Sequence, residues 1–133
     1  MLPHTLRKEF RPMALGQVTP ILRMFDEVKA REFYIEFLGF KAKFEHRFED
    51  NFPLYMAIER DGCEIHLSEH HGDSTPGSAI RIETTSVEEL QNELAIKNYK
   101  YNRPGIERQP WGHEMSVTDP FGNRLTFTSM NNG

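Results

Sequence analysis

The groups in this chain that could do chemistry are six histidines, one cysteine and twenty carboxylates. His66 lies in Glu64-Ile65-His66-Leu67-Ser68, where alternation puts Ile65 and Leu67 on one strand face and Glu64, His66 and Ser68 on the other. His66 therefore faces a cavity or solvent and is a candidate ligand contact. With Glu69 or His70 it could also form a small metal site. His70 and His71 fall in a polar stretch and read as solvated loop residues. His46 and His113 alternate with apolar neighbours and face outward or line a groove. Cys63 sits in apolar alternation, the setting of an inert thiol. Asp61 and Asp119 stand beside Gly62 and Pro120 and read as turn formers, not as a catalytic pair. Glu114 is the one carboxylate inside a strand near Trp111, and reads either as a base in metal-free catalysis or as a structural group. No glycine-rich phosphate loop and no nucleophile elbow is present.

The aromatic residues carry more. Trp111, the single tryptophan, stands between Pro110 and Gly112 at the start of a strand. A ring at such an edge can stack on a flat ligand or a cation; its alternative is packing at a dimer seam. Phe44 and Phe48 share a strand face by even spacing, and Phe52 follows on a loop that could close over a ligand. Phe44 reads as core, and Phe48 and Phe52 as ligand contacts. Glu45, Glu49 and Asp50 could form an anionic rim, with Asp50 the candidate contact, or be plain surface charge.

The elements that must position these groups form a repeated pattern. Gln17–Met24 reads as a strand, irregular or at an edge because of Pro20. Asp26 suits a helix N-cap, and Ala30, Phe33, Tyr34, Phe37 and Leu38 make one apolar stripe up to Gly39. Strands follow at Phe40–Phe48, Leu54–Arg60 and Cys63–Ser68, the last two joined at Asp61-Gly62. After a polar linker, residues 69–77, the order starts again. A strand at Ser78–Thr84 leads to a helix announced by Ser86 and Glu89, with Val87, Leu90 and Leu94 on one face and Asn98 at its end. Strands at Tyr99–Arg108, Gly112–Thr118 and Arg124–Thr128 complete it, the last two around Asp119-Pro-Phe-Gly-Asn123. The expectation is an α+β fold of two βαβββ modules, residues 15–68 and 78–130 of one domain spanning 15–130, behind an N-terminal arm, 1–14.

Composition sets the outer limits. The chain has 133 residues, 38% hydrophobic and 27% charged, which suits one soluble domain able to bury its own core. A single cysteine points to a reducing, cytoplasmic compartment. No apolar run is long enough for a membrane span, and the N-terminus has no secretory pattern. The net charge of −4 argues against nucleic acid as a partner. Arg7, Lys8 and Arg11 against Glu9 give the arm a local excess of positive charge. The acidic remainder could steer a cationic ligand, or simply keep the chain soluble.

The order βαβββ-βαβββ, the segment EFYIEFLGF and the terminal segment WGHEMSVTDPFGNRLTF together resemble the glyoxalase / bleomycin-resistance / extradiol-dioxygenase (vicinal oxygen chelate) superfamily. The strand VTPILRM, the phrase RQPWGHEMSVTDPFGNRLTF and the acidic loop Glu49–Phe52 look most like bleomycin resistance proteins. The resemblance covers Leu15–Thr128. It implies a curved mixed sheet and a dimer in which modules of two chains enclose a pair of grooves, with Trp111 lining them. It also implies where enzymes of the superfamily hold a divalent ion. Here those positions carry Thr19, His66, Ser78-Ala79 and Thr126, and only His66 is a good ligand. The reading is therefore a metal-free, cofactor-free binding protein, more an antibiotic-sequestering dimer than an enzyme. Its ligand contacts are Trp111, Phe52, Phe48, His66, Asp50 and Glu114, and its ligand is small, cationic and aromatic. The alternatives are a metal-dependent lyase, isomerase or dioxygenase, or a binder of another small metabolite.

Overall fold

In the computed structural model, which describes residues 12–131, each half of the chain builds a four-stranded sheet and a helix. The first half runs β1 (Ile21–Arg23), α1 (Glu27–Arg31) with a π-helical continuation (Glu32–Phe37), β2 (Lys41–His46), β3 (Tyr55–Arg60) and β4 (Cys63–Ser68). The second runs β5 (Ala79–Glu83), α2 (Val87–Lys97), β6 (Ile106–Gln109), β7 (Gly112–Thr118) and β8 (Arg124–Met130). The sheets have the orders β1-β4-β3-β2 and β5-β8-β7-β6, so the two modules share one topology. In each, the first and last strands pair in parallel and the other neighbours antiparallel.

Local sequence accounts for most of these boundaries. Asp26 is extended and accepts a hydrogen bond from Lys29 N at 3.0 Å, satisfying one of the free N–H groups of α1. The stripe Ala30, Phe33, Tyr34, Phe37 and Leu38 is buried throughout. The helix widens within it, because Leu38 N bonds to Phe33 O, a five-residue step. Gly39 ends it at φ 77°, where a side chain would also press on Arg60 Nη1 at 3.0 Å. Ser86 caps α2 through Glu89 N, and Asn98 closes it in the left-handed region. β1 is shorter than the 17–24 stretch suggests: Pro20 lacks the N–H needed to extend the ladder, though its carbonyl accepts from His66 N. Of the expected arm, residues 1–11 lie outside the described residues, and Pro12–Ala14 are exposed with no regular structure.

One core joins the modules. Tyr99, beyond α2, stacks against Phe37 and Phe33 with ring centroids 4.6 and 6.3 Å away. Arg60 grips Glu93 of α2 with two 2.7 Å hydrogen bonds and Leu38 O with a third. The third junction is the Asp119–Asn123 turn. Asp119 is buried and accepts from Tyr34 Oη at 2.6 Å, and from Phe121 N, Asn123 N and Asn123 Nδ2 at 2.8 Å each. Asn123 Nδ2 also donates to Arg23 O on β1, while its Oδ1 accepts from Ser78 N ahead of β5. Burial, then the neighbouring Asp119 carboxylate, pushes the Tyr34 phenol well above its ordinary value. This turn is thus a knot between modules. Among the described residues, no helix is long and apolar enough to cross a membrane.

Candidate functional site

The helices cover one face of each sheet and leave the other open. On the first sheet the open face carries Ile21, His66, Tyr55 and Phe44, placed there by the pairings Ile21 with His66, Ala57 with His66 and with Phe44, and Tyr55 with Ser68. A register shift between Ala42 and Phe44 makes a bulge in β2 and turns Lys43 to the same side. Phe44 is not the core residue that its spacing suggests. It is 47% exposed, with its ring edge-on to His66 at 5.5 Å, because the buried partners of β3 and β4 belong to the opposite face.

His66 is held at both ring nitrogens. Nδ1 and the Tyr55 hydroxyl lie 2.5 Å apart, and Nε2 lies 2.7 Å from Glu64 Oε2. A carboxylate can only accept, so Nε2 carries a proton. Lys43 Nζ donates to the other oxygen of Glu64 at 2.6 Å. Lys43, then His66, holds the Glu64 carboxyl below the usual carboxylate range. Burial, then Asp73 and Glu64, raises the Tyr55 phenol.

On the second sheet the open face carries Arg81, Thr126, Ser116, Glu114 and Thr128. Trp111 enters from its edge. Asn131 binds its backbone on both sides, N to Trp111 O at 2.8 Å and Nδ2 to Pro110 O at 3.0 Å. Only glycine can follow it, because a Cβ at Gly112 would stand 2.1 Å from Ser129 O. The indole N–H donates to Glu114 Oε2 at 2.7 Å, and Arg81 donates to the same oxygen. Arg81, then Trp111, holds the Glu114 carboxyl below its usual range. Glu114, read from the sequence as a ligand contact, is bound to protein groups on three sides, since Thr128 Oγ1 stands 3.4 Å away.

Phe48 and Phe52 form a third group, stacked at 5.9 Å beside β2 and 74% and 43% exposed. Their loop is tied down rather than free: Arg47 donates to Phe52 O at 2.8 Å and pairs with Glu27. Asp50 sits exposed at its tip, while Glu45 is spent on Arg31. His113 points away from the open face and meets Glu88 of α2. Among the described residues no aromatic contact or hydrogen bond joins Trp111 to the Phe44 or Phe48 groups. A crevice of about 490 Å³ between the modules is floored by Leu38, Phe40, Ile82 and Phe127 and lined also by Asp61, Glu83 and Glu89. Its guanidinium, Arg60, and its carboxylate Glu93 are spent on each other, and burial pushes its thiol, Cys63, up.

The residues at the family's metal positions do not fit an ion. The strand partner of His66 is Ile21, and the strand partner of Thr126 is Arg81 rather than Ser78 or Ala79. On one sheet an imidazole bonded at both ring nitrogens stands beside an aliphatic chain, and on the other a hydroxyl stands beside a guanidinium, so these positions offer a divalent cation too few donors and, at Arg81, a like charge. Among the described residues, no three of His, Cys, Asp and Glu converge.

Two βαβββ units sharing a core, each with an open sheet face, define the paired-module class of folds. The chain belongs to the glyoxalase superfamily, whose sequence model matches residues 5–133. Solved structures agree. The bleomycin-binding protein of Streptomyces verticillus, complexed with copper(II)-bleomycin, is 27% identical with a TM-score of 0.67, over 90% of this chain and 100% of that one. TnmS3, an antibiotic binding protein from Streptomyces sp. CB03234, shares 18% identity at a TM-score of 0.68, with the same coverage. A bleomycin resistance determinant encoded on the transposon Tn5 shares 20% at 0.67, over 89% of this chain and 100% of that one. No curated protein sequence matches.

Proposed function

We propose that this chain is a metal-free binding protein that sequesters a bleomycin-type antibiotic by stoichiometric capture. The observation that carries the reading is the exposure of Phe44, Phe48, Phe52 and Trp111 around the sheet faces while Phe33, Tyr34 and Phe37 are buried. Rings left in water at an open face are the groups that stacking on a flat, cationic ligand would use. The bleomycin-binding relative at 27% identity supports that ligand class.

The groove is formed by two copies of the chain. The aromatic surface of module one and Trp111 of module two do not meet within one chain, and a two-fold partner brings unlike faces together twice. Trp111, Phe52, Phe48 and His66 then contact the ligand, and Asp50 adds negative charge at the rim. The site of action is the cytoplasm, where a lone thiol stays reduced.

Titration of the purified protein with bleomycin, followed by Trp111 fluorescence, tests this. A saturable change at micromolar drug is expected, with one drug bound per chain and a mass in solution twice the 15.5 kDa of the chain. No saturable change overturns the proposed ligand, and a monomer overturns the shared groove. Protection of sensitive cells by the expressed chain separates bleomycin capture from binding of another metabolite.

A further inference from the structure

Trp111 is the one exposed ring of the site whose orientation is set from both ends. Its backbone is pinned by Asn131, and its indole N–H is bonded to Glu114. Glu114 in turn is held by Arg81, which also donates to Thr128 Oγ1 at 3.1 Å. The side chain of Glu114 is only 12% exposed, whereas that of Arg81 is 58% exposed. The carboxylate therefore lies beneath the ring's edge, and the guanidinium closes over it. The charged side chains on this face are Arg81 and Glu83 of β5, Glu107 of β6 and Arg124 of β8, since Glu83 pairs with Thr128, Glu107 with Glu114 and Arg124 with Thr118. Of these, Arg81 alone bonds to Glu114 among the described residues.

We propose that Glu114 and Arg81 are positioning residues for Trp111 rather than ligand contacts, and that they restrict this half of the site to ligands bound through the indole face. The proposal rests on the ligand-binding reading above. Two consequences follow from the geometry. The indole N–H is occupied, so it does not donate to a ligand, and a carboxylate on that N–H pushes electron density into the ring. An electron-richer ring attracts a cation or an electron-poor aromatic more strongly. The Glu114 charge is matched by Arg81, so the face presents a polarised ring and not a free carboxylate. The ligand class is thus a planar cationic or electron-poor ring system, stacked flat.

The single tryptophan makes the test direct, because all tryptophan emission comes from Trp111. In the free full-length protein, Trp111 emission should change as Glu114 protonates in acid. Arg81→Gln should move that midpoint to higher pH and lower the emission anisotropy, and Glu114→Gln should abolish the transition. Arg81 is largely exposed, so Arg81→Gln keeps the fold, and an unchanged urea midpoint verifies it. With bleomycin as probe, Glu114→Gln, which removes the anion that polarises the ring, should weaken binding about fivefold. Emission and anisotropy indifferent to both variants would overturn the clamp. A changed emission with unchanged bleomycin affinity would overturn its role in binding. If the unmodified protein binds no bleomycin, the capture reading fails, while the free-state emission still decides whether Glu114 and Arg81 hold the ring.

Discussion

The two open sheet faces repeat one arrangement with different chemistry. In module one a ring nitrogen, His66 Nε2, meets the carboxylate of Glu64, which meets the cation of Lys43. In module two a ring nitrogen, Trp111 Nε1, meets Glu114, which meets Arg81. The registers correspond: His66 and Ser68 face Ala57 and Tyr55, as Thr126 and Thr128 face Ser116 and Glu114. The parallel partner is Ile21 in one case and Arg81 in the other. One topology thus places a ring, an anion and a cation on each face. Module one surrounds its ring with aromatics, and module two leaves its ring alone at an edge. The hairpin turns differ even more. Asp61-Gly62 is a solvent-exposed reversal, whereas in the Asp119–Asn123 turn Asp119, Phe121 and Asn123 are buried, and Asp119 and Asn123 are bound to both modules. What repeats is backbone geometry, and what diverges is the burial and partners of the side chains it carries.

The turns offer the largest contrast to break. Asp119→Asn turns an N–H₂ toward two of the four donors that the carboxylate accepts from, and should cost roughly 2–4 kcal/mol in urea unfolding. Asp61→Asn, at an exposed left-handed position that asparagine tolerates, should change stability by less than about 0.5 kcal/mol. Equal losses would show that the second turn is not the knot described.

Tyr34→Phe removes one donor to Asp119 and should cost roughly 1.5–3 kcal/mol. The same pair gives a pH dependence. The folded phenol titrates above its ordinary value of 10.0, so its contribution is complete below that pH and is lost as pH rises beyond it. Stability measured from pH 8 to 11 should fall more steeply in the unmodified protein than in Tyr34→Phe.

Between the rings, Trp111→Ala should weaken bleomycin binding by about 1–2 kcal/mol, and Phe44→Ala by less, because an indole offers the stronger stacking face. Calorimetric titration of both variants would show it, and the reverse order would place the main grip on module one.

The smallest effect concerns the independence of the two faces. Glu64 is held below its usual range first by Lys43, so Lys43→Ala should raise its acid midpoint, read from carboxyl carbon shifts in NMR. The Trp111 emission midpoint should stay in place. If both move, the faces are coupled.

Much of this architecture can be read along the chain. The stripe Ala30–Leu38, the caps Asp26 and Ser86 and the Asp61-Gly62 reversal depend on residues within a few positions of one another, and each stands as its spacing suggests. The exposure of Phe44 is not legible in its spacing, because alternation says that two faces differ, not which one a helix covers. Arg81 is not legible in the sequence as a partner of Glu114, and so of Trp111, because 33 positions of helix, loop and strand separate it from that carboxylate, and nothing local marks an arginine on a short strand. The spacing marks Asp119 as a turn former, which it is, but its bond to Tyr34 spans 85 positions.

Short-range physics therefore determined the elements, their order and the residue types available at each face: one tryptophan, one histidine on β4, and threonine in place of a carboxylate on β8. Tertiary structure alone decided which carboxylates remain free and which are spent. Glu114 and Glu64 are bound to cations from other strands, while Asp50 stands in water. The reason is range. Helix periods, caps and turns are set by neighbours along the backbone, whereas a charge finds its partner only after strands distant in sequence have been brought side by side.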